Sequence, residues 1–212
     1  MKKFFIGVYN PSIILTYISV FCSIIGIACA TKPFNPTYTF DYMSLAISLL
    51  IIAGICDMFD GTIARKCKRT ETEKKFGIQL DSLADTVSFV IFPICILLAQ
   101  TENSIISLLI ACFYAFAGIM RLGWFNVTTE ENNGYFQGMP VTMSAFLVPI
   151  FYLFLNRFNI ASSIRNPIMQ ILFLIIGILF ISNFKIKKPN TKMRIFIALF
   201  CIILFVISIP IF

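Results

Sequence analysis

The chain has 212 residues, of which 58% are hydrophobic and only 13% charged, and its mean hydropathy is +0.89. A soluble domain carries about a quarter charged residues, so the composition excludes one, and the apolar runs lack the alternation of a membrane β-barrel. The net charge of +7 includes no histidine, which removes imidazole from acid–base or metal chemistry, and no soluble basic domain is present to bind nucleic acid.

Seven apolar stretches, roughly 12–30, 42–65, 77–99, 103–125, 139–157, 167–184 and 194–212, are near the length of about 20 residues that crosses a bilayer. They predict an all-α, polytopic membrane bundle of about seven helices forming one domain over 1–212. The first stretch lacks a small-residue cleavage site and reads as a span, not a signal peptide. The second ends in Asp57, Asp60, Gly61, Ala64 and Arg65, and the third opens with Gly77, Asp81 and Asp85 and contains Pro93, a candidate kink. The fourth ends with Arg121 and Asn126, and Gly138 and Pro140 form a turn before the fifth.

Basic residues are unevenly spread. Lys2 and Lys3, then Lys66, Lys68, Arg69, Lys74 and Lys75, then Lys185, Lys187, Lys188 and Lys192 all fall on one side of a seven-span topology. The positive-inside rule makes that side cytoplasmic, against which Arg157 and Arg165 are a minor exception. The result is a basic collar able to attract anionic lipid headgroups. The seven cysteines are scattered, mostly within spans, and their spacing matches neither a zinc site nor a disulfide framework.

The chemistry is concentrated in four aspartates. Ionisable groups at membrane depth are costly unless paired or metal-bound, and they mark functional sites by default. Asp57, Asp60, Gly61, Ala64 and Arg65 are spaced i, i+3, i+4, i+7 and i+8, which places them on one helix face. Asp81 and Asp85 are i, i+4 on the next helix, with Gly77 one turn before. The two helices are antiparallel neighbours joined by a basic connection, so the four carboxylates are expected to converge on one point near the cytoplasmic ends. Clustered anions need a counter-charge, and oxygen ligands without thiolate or imidazole suit Mg²⁺ or Mn²⁺. Two metals on four carboxylates would handle a phosphate group. Gly61 and Ala64 keep that face low, and Arg65 offers a guanidinium fork to phosphate. A plainer alternative is a set of solvated interface residues paired with the basic connection. A cation transporter could also use these aspartates, although neither broken helices nor inverted repeats are evident.

The sequence Asp57-x2-Asp60-Gly61-x2-Ala64-Arg65, followed by Gly77-x3-Asp81-x3-Asp85, resembles the signature of the CDP-alcohol phosphatidyltransferases. One departure is the stretch of residues 66 to 76, longer than the family usually shows between Arg65 and Gly77. It is expected to be a loop, in which nucleotide contacts by Thr70 or Thr72 are doubtful. The resemblance implies displacement of CMP from a CDP-linked lipid by an alcohol, at a six-helix core followed here by an extra C-terminal helix. It implies that Asp57 and Asp81 bridge two Mg²⁺ or Mn²⁺ ions, that Asp60 and Asp85 complete them, and that Asp85 is the general base. Gly61, Ala64, Arg65 and Gly77 would hold the CDP-lipid, the stretch from Asn10 to Thr16 would border the cytidine, and the assembly would be a homodimer.

Three further stretches resemble the phosphatidylserine synthase branch: Asp81-Ser-Leu-Ala-Asp85-Thr-Val-Ser-Phe89, Met120-Arg121-Leu-Gly-Trp-Phe125-Asn126 and Tyr135-Phe136-Gln-Gly138-Met-Pro140. In the second, Gly123-Trp124 stands where a small residue and arginine are common. The branch implies CDP-diacylglycerol and L-serine as substrates, with Arg121 and Asn126 as acceptor-binding residues. Arg121 also reads as a snorkelling interface arginine. Glycerol 3-phosphate or an inositol phosphate is the alternative acceptor, and either would demand further basic residues beside the site.

Overall fold

The computed structural model describes residues 7–8, 10–32, 41–128, 135–187 and 190–208; Lys2, Lys3, Lys188 and the end of the expected last span lie outside them. The order of elements is α1 (Ile14–Ala30), α2 (Tyr42–Lys66), α3 (Glu71–Asp85), a π-helical turn (Thr86–Ile91), α4 (Phe92–Gln100), α5 (Ile105–Thr128), β1 (Tyr135–Gln137), α6 (Ser144–Arg157), α7 (Ser162–Ile181), β2 (Lys185–Lys187) and α8 (Thr191–Ser208). Among the described residues, five segments are long and apolar enough to cross a membrane: Pro11–Ala30, Tyr42–Lys66, Glu71–Gln100, Ile105–Thr128 and Ser162–Ile181. Val141–Arg157 and Phe196–Ser208 are shorter apolar helices. The protein is therefore a membrane-embedded helical bundle.

Local chemistry sets the helix starts. Asn10 caps the turn that leads into α1, its side chain accepting from Ser12 N, with Pro11 in the first turn, where a missing N–H costs nothing. Asp41 caps α2 by accepting from Met43 N and Ser44 N, and Ser44 Oγ also donates to it. Thr70 and Glu73 form a reciprocal capping box at α3. That box corrects one expectation. Residues 71–76 are not loop but the first turn and a half of α3, so the longer stretch between Arg65 and Gly77 is taken up mainly as helix.

α2 is the central element. It packs most extensively on α1 and also touches α4, α6 and α8, while α5 pairs with α7. The interior is apolar, built from side chains such as Ile47, Leu50, Phe89, Phe92, Tyr114, Phe173 and Ile176, all fully buried. Phe92 seats directly on α1, because a Cβ at Gly26 would collide with its ring. The outer surface carries large apolar side chains, among them Phe21, Ile105, Phe116 and Phe196, as a lipid-facing surface requires.

The expected all-α fold acquires one small sheet. β1 and β2 pair antiparallel, with Gln137 opposite Lys185 and Tyr135 opposite Lys187, which ties the α5–α6 connection to the α7–α8 connection. Gly138 follows with φ of +70°, and a Cβ there would meet the carbonyl oxygens of Ser182 and Phe180 at 2.8 and 2.9 Å. Only glycine accepts both that backbone conformation and that approach.

Candidate functional site

The α2 C-terminal half and α3 bring three carboxylates together. Asp57, Asp81 and Asp85 each offer an oxygen within 4.8 Å of the others. Asp60 is not part of this trio; it lies against Asp81 and accepts a hydrogen bond from Thr16 Oγ1 of α1 at 3.4 Å. The expected convergence of four aspartates is therefore a trio plus a neighbour. The difference follows from helix geometry: Asp60 is three residues beyond Asp57, so it sits on the same face but nearly a turn nearer the helix end.

Beside the carboxylates lies a cleft of about 210 Å³. Asp60, Gly61, Ala64 and Arg65 of α2, Gly77 and Asp81 of α3, Ser12 of the turn before α1 and Thr16 of α1 all line it. The stretch expected to border a nucleotide thus meets the motif residues at one cavity. A Cβ at Gly61 or Gly77 would meet only an arginine Nη1 at ordinary contact distance, of Arg65 at 3.6 Å and of Arg69 at 3.5 Å respectively. Arg65 is exposed at the rim, and its Nη2 donates to Thr62 Oγ1 at 3.3 Å. Arg69 also lines the cleft. Sequence reasoning placed it only in the basic connection, because nothing in its spacing ties it to the motif. Thr70 is committed to its cap and does not line the cleft.

The two acceptor candidates part company. Asn126 joins the carboxylate side: its Nδ2 donates to Ser82 Oγ at 2.9 Å, and Ser82 Oγ lies 3.0 Å from its Oδ1. Arg121 borders a second cleft of about 280 Å³, formed with Met120, Trp124, Gln137, Phe180 and Ser182. It is only 6% exposed, so it is no snorkelling arginine. Its Nε donates to Met139 O at 3.1 Å, and its guanidinium lies 5.4 Å from the Phe125 ring. Trp124 forms part of the wall, its indole N–H donating to Gln137 Oε1 at 2.7 Å.

All these groups occupy one end of the bundle. Asn10 Nδ2 donates to Lys68 O, joining the start of α1 to the α2–α3 connection, and the strand pair closes the same end. Among the described residues no lysine or arginine forms an ion pair with Asp57, Asp81 or Asp85. A half-buried carboxylate trio without a cationic side chain, built only from oxygen donors, fits a hard divalent cation.

Comparison with known proteins agrees with this geometry. The profile of the CDP-alcohol phosphatidyltransferase family matches residues 9–182. The chain is 30% identical over 178 residues to a CDP-diacylglycerol–serine O-phosphatidyltransferase of Helicobacter pylori, covering 80% of this chain and 74% of that one. It is 33% identical over 165 residues to the protein of the same description from Methanocaldococcus jannaschii, covering 78% and 75%. An archaetidylserine synthase of Methanothermobacter thermautotrophicus is 35% identical over 112 residues, covering 52% of this chain and 47% of that one.

Proposed function

The chain belongs to the CDP-alcohol phosphatidyltransferase family, and from that premise we propose that it transfers the phosphatidyl group of CDP-diacylglycerol to L-serine, giving phosphatidylserine and CMP. The observation that carries this reading is the trio of Asp57, Asp81 and Asp85 within 4.8 Å of one another, beside the cleft formed by the motif glycines and Arg65.

Asp57, Asp60, Asp81 and Asp85 would hold two Mg²⁺ or Mn²⁺ ions. Bound there, the cations offset pyrophosphate charge and stabilise the entering and leaving oxygens. The remaining work falls to the chain. Gly61, Ala64 and Gly77 let the CDP moiety approach backbone, and Arg65 donates to its phosphates. The serine hydroxyl oxygen bonds to the phosphatidyl phosphorus as the P–O bond to CMP breaks and its electron pair leaves on CMP. The hydroxyl proton passes to Asp85, the general base. Asn126, held by Ser82, orients the acceptor, and Arg121 binds its carboxylate.

Serine is favoured over phosphorylated acceptors by charge. Arg121 is the one cationic side chain lining its cleft among the described residues. One guanidinium matches a carboxylate, whereas a phosphate monoester carries nearly two charges. The site belongs at the cytoplasmic face, where the basic connections lie. A homodimer completes the reading, and cross-linking in membranes tests it.

The decisive experiment is CMP release by the purified protein from CDP-diacylglycerol, with Mg²⁺ or Mn²⁺ and with serine, glycerol 3-phosphate or an inositol phosphate supplied separately. Serine-dependent release that EDTA abolishes and added metal restores is expected. Release with another acceptor alone corrects the substrate and keeps the chemistry. No release from folded protein with any acceptor overturns the reading.

A further inference from the structure

Directly after Asp85 the helix changes its winding. Thr86–Ile91 form a π-helical turn between α3 and α4, and Phe92 N–H bonds back to Val87 O, five residues earlier. Such turns insert a residue into an otherwise continuous helix and occur often at functional sites. Here the turn separates a segment that presents carboxylates from one that fills the apolar core. Pro93 follows at once, and it has no N–H to give the carbonyl four residues back, that of Phe89.

That carbonyl is served from outside the helix. Tyr114 Oη of α5 and Ser144 Oγ of α6 each donate to Phe89 O at 3.0 Å. Both side chains are fully buried. Tyr114 is held in turn between Phe173 and Phe180, with ring centroids 5.1 and 5.2 Å away. On the opposite side, Ser88 of the turn accepts from Ser23 Oγ at 2.8 Å and from Ser19 Oγ at 3.3 Å, both on α1, and Ser19 Oγ also lies 3.3 Å from Ala53 O of α2. Three helices, α1, α5 and α6, therefore grip one irregular turn whose preceding residue is Asp85.

We propose that Tyr114 and Ser144, backed by the Ser19–Ser23–Ser88 cluster, are positioning residues for Asp85, fixing the π-turn so that this carboxylate meets Asp57 and Asp81. A turn of this kind competes with regular α-helix, and re-winding by one residue rotates everything on its N-terminal side by about 100° relative to α4. Asp85, next to the turn, would lose its register with the carboxylates of α2. The two hydroxyls hold the turn by donating to its Phe89 carbonyl, in a bilayer interior with no water to replace them. The inference rests on the assignment of Asp85 to the metal-binding, proton-accepting role.

The test uses the full-length protein in detergent, with Tyr114→Phe, Ser144→Ala, the double variant and Asp85→Asn. Two quantities are read against Mn²⁺ concentration: the thermal shift without substrate, and CMP release. For the double variant the Mn²⁺ midpoint of both is expected to rise about tenfold or more, as for other residues that orient a metal ligand, while KM for CDP-diacylglycerol stays at the wild-type value. Tyr114→Phe removes a single oxygen, so it alone decides the matter should the double variant not fold. Wild-type Mn²⁺ midpoints in Tyr114→Phe and the double variant overturn the proposal, as does a lower metal-free Tm with an unchanged midpoint. Asp85→Asn separates the two layers: wild-type metal response and turnover there refute the role of Asp85 itself, whereas a crippled Asp85→Asn beside unaffected hydroxyl variants refutes only the positioning.

Discussion

Asp81 stands in two neighbourhoods at once, one of the carboxylate trio and also a wall of the cleft shared with Asp60, Gly61 and Arg65. Its loss should therefore damage both metal retention and substrate alignment. Asp81→Asn is expected to lower turnover about a thousandfold, the scale of losing a preorganised electrostatic group, with Asp60→Asn less severe; equal effects in a CMP-release assay would remove the distinction. Arg121→Ala should act differently. It removes a charged donor from the second cleft, so KM for serine should rise about tenfold or more while KM for CDP-diacylglycerol holds. A rise confined to the CDP-lipid would reassign Arg121. At this scale the aspartates were legible because four carboxylates set in apolar sequence are costly to keep without a counter-ion or a task. The Thr16–Asp60 and Ser82–Asn126 pairs were not. A hydroxyl in an apolar helix has ready local partners, as when Thr86 donates to Ser82 O and Ser23 to Ser19 O, and nothing in sequence says which hydroxyl reaches across instead.

Among the elements, the spans were readable almost to their ends because long apolar runs bounded by charge have one outcome in lipid. The expected 12–30, 42–65 and 103–125 became Pro11–Ala30, Tyr42–Lys66 and Ile105–Thr128. Two local features escaped. Charge-rich residues 71–76 looked like loop, but Thr70 and Glu73 cap a helix through them. Pro93 read as a candidate kink, and sequence did not show the π-turn immediately before it, whose support comes from side chains on α1, α5 and α6 far away in sequence. The cap can be tested directly. Thr70→Ala should cost about 1 kcal/mol of local stability, seen as roughly fivefold faster amide exchange over residues 71–76 while turnover changes little. Unchanged exchange would mean that α3 does not depend on its capping box at that end.

The bundle as a whole is polarised. At the carboxylate end the described residues include Lys66, Lys68, Arg69, Lys74, Lys75, Lys185 and Lys187; the opposite end has Lys32, Arg157 and Arg165. α8 lies beyond the matched residues 9–182, yet it packs on α2 and α6, with Ser48 Oγ and Ser208 Oγ 2.8 Å apart and Cys201 and Leu204 buried. It therefore extends the core and brings the β2 lysines to the basic end. Because short basic connections resist translocation, that end should face the cytoplasm, where a polar acceptor and CMP exchange freely with water while the lipid tails remain in the bilayer. Single cysteines in a cysteine-free background decide this. Lys68→Cys and Lys185→Cys should react with a membrane-impermeant thiol reagent only in inverted vesicles, and Glu102→Cys, in the α4–α5 connection, only in right-side-out ones. The opposite labelling would place the carboxylates on the outer face, away from any cytoplasmic serine, and the acceptor would have to be sought there.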